Sequence, residues 1–157
     1  MGWNTSALFV HGGTAAEAVA VLSGTARPDG DPVTADEATS GLPEGVLFAA
    51  QVGGWAQVWD PSLELVATCQ PPGDALTVVF AGVSSSYAFT LFAGGEIVRE
   101  VVYADTEAVI DNGPPLPVEA TVDIPSWGPD EDFVWAVIEA VTGTGYPEST
   151  LFQPWRR

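Results

Sequence analysis

Lysine is missing from this chain and arginine is scarce: Arg27, Arg99, Arg156 and Arg157 are the only cationic residues among 157, apart from a single histidine. Against them stand 21 Asp and Glu, for a formal charge of −17 at pH 7. A folded monomer of this mass exposes about 7,500 Å², so one net negative charge falls on every ~440 Å². Such a surface repels phosphate backbones and anionic lipid, which argues against direct nucleic-acid binding and against a membrane partner. It attracts basic protein surfaces instead. Coding bias toward high GC content would remove Lys, but it should raise Arg, so bias does not explain the acidity.

Cysteine and histidine are each single. Cys69 alone excludes an intrachain disulfide, and with it a disulfide-stapled secreted scaffold. One Cys and one His leave zinc without a ligand set. No hydrophobic run reaches the length of a membrane span, and the apolar patch at residues 7–10 is strand-sized and follows no basic leader. The expected compartment is therefore the cytoplasm. No phosphate loop is present, because Gly12-Gly13 lacks both the repeated glycine pattern and a following Lys. No cofactor is expected.

What the chain does have is apolar mass: 46% of its residues are hydrophobic and 10% aromatic. Charge-driven disorder requires low hydrophobicity, so the chain is expected to fold, as one domain over residues 1–157. Residues 6–11 read as a strand, and Thr14-Ala15-Ala16-Glu17 is a capping box opening a helix. Residues 25–44, rich in Pro, Gly, Asp, Ser and Thr, read as a long surface loop with one helical turn near Asp36-Glu37-Ala38. Residues 46–52 and 55–59 flank Gly53-Gly54 as a hairpin, pairing Val52 with Trp55, Ala50 with Gln57 and Phe48 with Trp59. Residues 62–69 suit a short helix or a strand. A meander follows over 75–83, 86–92 and 96–103, where the Gly94-Gly95 turn pairs Thr90 with Arg99, Leu91 with Val98 and Phe92 with Ile97. Residues 118–124 read as an edge strand, residues 130–142 as a helix ended by Gly143, and residues 146–157 as a C-terminal tail. The sum is α+β: a mainly antiparallel sheet of five to six strands, with one helix after the first strand and one near the C-terminus. Residues 46–52, 76–80 and 97–103 point apolar side chains to both sides. An antiparallel sheet with one wet face alternates more cleanly, so its own helices, a partner or a second subunit must cover both faces.

Catalytic and metal motifs fail on inspection. His11 before Gly12-Gly13 matches the oxyanion segment of some serine hydrolases, but the companion Gly-x-Ser-x-Gly and a second His are absent. Asp29-Gly-Asp31 opens like a calcium loop, yet Val33 takes the place of a ligand and no Glu falls at the twelfth position. A pocket near His11 with carboxylates at its mouth is the alternative expectation, for a small enzyme or ligand-binding domain. The leading one is an interface. On the terminal helix Trp135 falls with Glu131 and Glu139, opposite the Phe133–Val137 stripe, while Asp130 and Asp132 lie in its first turn. An aromatic bordered by carboxylates suits contact with a basic partner. A second buried layer over the helix would account for Trp135 equally well.

Residues 86–100, from Ser86-Tyr87-Ala88-Phe89 through Gly94-Gly95-Glu96, together with Gly113-Pro114-Pro115-Leu116-Pro117, the helix up to Gly143 and Gly54-Trp55-Ala56-Gln57-Val58, resemble small uncharacterised acidic proteins of high-GC actinobacteria. The resemblance spans the C-terminal two-thirds of the chain and rests on strand patterns. It implies a bacterial cytosolic α+β protein and carries no site residues. The expectation is a non-enzymatic acidic interaction module, an immunity-type or inhibitory protein with a basic protein partner. A homodimer is the other way to cover the sheet.

Overall fold

The two-sided apolar strands are gathered into a single sheet of nine strands. A computed structural model describes residues 3–42, 45–105, 107–125 and 128–157. The strands are β1 (Asn4–His11), β2 (Arg27–Pro28), β3 (Val46–Val52), β4 (Trp55–Asp60), β5 (Ala75–Ala81), β6 (Ser86–Ala93), β7 (Glu96–Ala104), β8 (Glu107–Asn112) and β9 (Gln153–Arg156). Their order is β2-β9-β3-β4-β1-β5-β6-β7-β8, and the neighbours pair antiparallel. The expected five to six strands are therefore too few. β2 and β9, with two and four residues, are too short to show alternation, and Pro154 disguises β9 inside the tail. β8 is exposed at every position and shows no buried period. Residues 118–124 do not form the expected edge strand. Pro117, which has no N–H to donate, opens a 3₁₀ turn at Pro117–Ala120 instead.

Among the described residues four helices lie on the two sheet faces: α1 (Ala15–Leu22), α2 (Ala35–Ala38), α3 (Glu64–Thr68) and α4 (Glu131–Thr142). The capping box of α1 closes in both directions, Glu17 N–H to Thr14 Oγ1 at 3.1 Å and Thr14 N–H to Glu17 Oε1 at 3.0 Å. The segment 25–44 holds β2 and α2, and buries Ala26, Ala35, Ala38 and Thr39. Helix wins over strand at 62–69 because the Asp60 carboxylate accepts from Ser62 N–H (2.9 Å), Ser62 O–H (2.7 Å) and Leu65 N–H (3.1 Å), turning the chain into α3.

One face packs Phe9, Trp59, Val78, Phe80 and Phe89 against Phe133, Val134, Val137 and Ile138 of α4. Burying those four helix side chains contributes roughly 1.5–3 kcal/mol each. The opposite face packs Leu8, Leu47, Ala56 and Val58 against Val19 and Leu22 of α1 and Val66 of α3. Cover on that side is uneven: α1 lies over β3 and β4, and α3 over β5, β1 and β4.

The hairpin register is the one read from the sequence, Phe48–Trp59, Ala50–Gln57 and Val52–Trp55. The β6–β7 register is not. Phe92 pairs with Ile97, but Leu91 then pairs with Arg99 and Thr90 with Glu100, because a β-bulge inserts one extra residue. The slip exchanges faces. It sends Arg99 to the α4 side, where it is 3% exposed, and Glu100 to the other.

Candidate functional site

The terminal helix begins where the Asp130 carboxylate accepts from Asp132 N–H at 3.0 Å, and ends at Gly143 with φ +81. Its inward stripe fixes the rotation, which leaves Glu131, Trp135 and Glu139, four residues apart, on the outer flank with Asp132. Trp135 is half-buried rather than free. It stacks on Trp59 with ring centroids 5.7 Å apart and 29° between planes, and lies 5.9 Å from Phe80. Trp3 and Tyr146 add the second layer, each 5.6 Å from Trp135 and inclined to it by 68° and 65°. One side of the ring is packed as part of a second layer over the helix, and the other reaches a cleft.

That cleft, about 360 Å³, is lined by Trp3, Trp135, Tyr146, Glu131, Asp132 and Glu139, with Gly145 at its edge. A methyl group on Gly145 would sit 3.3 Å from Glu139 Oε2, so the backbone there abuts the carboxylate. The fifth expected residue, Asp130, is the helix cap and does not line the cleft. Helical spacing shows neither Trp3, which comes from the other end of the chain, nor Tyr146, which lies past the Gly143 cap and so outside the period of α4. Trp127 lies outside the described residues.

The chain manages its carboxylates largely without cations. Tyr146 donates its hydroxyl hydrogen to Asp36, and burial, then that bond, raise the tyrosine above its usual range. Burial likewise raises Tyr87, followed by the charges of Glu131 and Asp130 and a hydrogen bond to Glu131. Asp132 and Glu139 carry no hydrogen bond or ion pair on their carboxylates among the described residues, and no cationic side chain lines the cleft. It is anionic and part aromatic.

Arg99 spends its donors inside the fold. Its Nε and Nη2 fork onto Glu119 at 3.0 and 2.6 Å, and its Nη1 reaches Asp111 at 2.5 Å and the Gly113 carbonyl at 2.9 Å. The bond to Glu119 outweighs burial, Asp111 adds to it, and the guanidinium stays charged. Arg156 pairs with Asp29 at the surface at 2.6 Å. These pairs occupy three carboxylates among the described residues.

His11 stands exposed at the end of β1, its ring 4.9 Å from that of Trp55, and lines neither the α4 cleft nor the sheet groove described below. No hydrogen bond joins it to Cys69. Burial pushes the Cys69 thiol up to about 11, the opposite of nucleophile activation. Among the described residues no group of three His, Cys, Asp or Glu is arranged to hold a metal ion. No described helix is long and apolar enough to cross a membrane. No family model, curated protein or solved structure matches the chain.

Proposed function

We propose that this chain is an acidic, non-enzymatic interaction module that docks a basic protein partner at the α4 cleft, in the manner of an immunity or inhibitor protein. One observation carries the reading: Glu131, Asp132 and Glu139 converge with Trp3, Trp135 and Tyr146 on one cleft that no cationic side chain lines. An arginine or lysine side chain entering it meets carboxylates whose charge nothing in the cleft neutralises, and aromatic rings at cation–π range. A cation–π contact contributes about 0.5–2 kcal/mol, and each charge-assisted hydrogen bond about 1.5–3 kcal/mol. The remaining negative charge steers encounter and makes it sensitive to salt.

Tryptophan fluorescence tests this. Hexa-arginine is titrated into the protein at low and at high salt, beside hexa-glutamate as the control. The reading expects saturable quenching by the arginine peptide that weakens at least tenfold between 20 and 300 mM salt. Glu131→Gln with Glu139→Gln should weaken it further at low salt. Binding indifferent to salt, or unchanged in the double variant, overturns it.

A further inference from the structure

The second sheet face stops being covered beyond β5. α3 lies over β5, β1 and β4, whereas α1, α3 and α4 make no substantial contact with β7 or β8. On that bare half, register aligns Val79, Ala88, Val102 and Ile110 in one row across four strands, and Thr77, Thr90, Glu100 and Asn112 in the next. Two clefts of about 270 and 360 Å³ run along it beside α3, sharing Val66, Ala67, Thr77, Thr90 and Glu100. Together they form one groove. Ile97, which lines it, and Ile110 at its far side stand 53% and 37% exposed.

Its walls are mainly apolar and hydroxylic side chains, with the Gln70 amide and the Cys69 thiol at one end and a single carboxylate, Glu100. That group is half-buried and has no hydrogen bond or ion pair with any described residue. The bulge in β7 is what aims it here, because the register without the bulge would put Arg99 opposite Thr90.

We infer that this groove is a second docking surface, and that its occupant is a basic amphipathic helix of a partner protein. Three features select that occupant. The covered half of the same face is already roofed by helices, so one more helix beside α3 completes the layer. Ala88 and Thr90 are small enough to let a helix backbone approach, with apolar rows for its anchors. Glu100 and the net charge of −17 call for a cation, which a second copy of this chain would not supply. Docking two copies face to face would set Glu100 near its own counterpart. The inference shares the basic partner with the proposal above but uses a different surface, and each can fail alone.

Amide-resolved NMR tests it, with a 14-residue helical peptide of leucine and lysine as the probe. A peptide with glutamate in place of lysine is the control. The inference expects shift changes at Val79, Ala88, Thr90, Glu100 and Val102, and none with the glutamate peptide. Glu100→Gln should weaken the groove site about tenfold, the loss of one charge-assisted contact. Glu107→Gln, equal in charge and outside the groove, should weaken it less than twofold. Ala88→Arg, on the half-exposed face, should abolish the groove shifts while leaving the rest of the spectrum folded. Shifts confined to the surroundings of Trp135 and Tyr146 overturn this inference and leave the α4 reading standing. Equal loss from Glu100→Gln and Glu107→Gln, binding of the glutamate peptide, or self-association through the groove also overturns it.

Discussion

Arg99 is the residue on which most of the local structure near the β8 edge converges. It is 3% exposed and links β7, β8 and the Pro117–Ala120 turn through Glu119, Asp111 and the Gly113 carbonyl. Replacing it with Met removes the charge that holds Glu119, whose side chain is 14% exposed, while Asp111 at 61% can rely on water. The expected cost is about 3–5 kcal/mol, mainly from Glu119, read as a lowered urea midpoint. A stability change below ~1 kcal/mol would contradict this account of the network. Gly113 is constrained by the same junction. Its φ is +87, and an added Cβ would come 2.1 Å from the Val98 carbonyl oxygen. Gly113→Ala should therefore cost at least about 1–3 kcal/mol for backbone strain, with the clash added. Cys69 offers a chemical check: with its thiol at about 11, alkylation by iodoacetamide at pH 8 should be on the order of 100-fold slower in the folded protein than in urea.

At the scale of elements, α4 closes the core and carries the proposed binding face. Asp130→Ala removes its N-cap and should lower stability by ~1 kcal/mol, seen as a shifted melting midpoint with hexa-arginine binding retained. Loss of binding in that variant would mean that Asp130 acts as a contact. The strands with strong patterns were legible in the sequence, as were both long helices and the β3–β4 register, because a two-residue turn and paired aromatics leave little choice. The β6–β7 register was not. A bulge costs one residue of alternation and is invisible where Ile97 and Val98 are both apolar, so Arg99 and Glu100 were assigned to the wrong faces. β9 was hidden because it is held by β3 and β2 rather than by a pattern of its own. The four α4 residues of the candidate cleft could be read from helical spacing, whereas Trp3 and Tyr146 could be placed only by the fold.

For the whole molecule, electrostatics acts in two directions. Self-repulsion at −17 destabilises the compact state, so added salt should raise the melting temperature while it weakens binding to a cationic peptide. The alkaline limb follows from the raised groups. Cys69, Tyr87, Tyr103 and Tyr146 all hold their protons to higher pH when folded, chiefly through burial. Their contribution is full below the unfolded values and is lost as pH rises through the folded ones, so stability should fall from about pH 9 upward. A denaturation series across pH 7–11 that stays flat would contradict it. The central claim is that the acids of α4 form a binding face and are not simply part of a soluble coat. It is tested most directly by comparing two triple variants of equal charge for hexa-arginine binding at low salt. One is Glu131→Gln, Asp132→Asn, Glu139→Gln, and the other is Glu64→Gln, Glu96→Gln, Glu107→Gln. The account predicts at least a tenfold rise in Kd for the first and less than threefold for the second; equal losses in the two would contradict it.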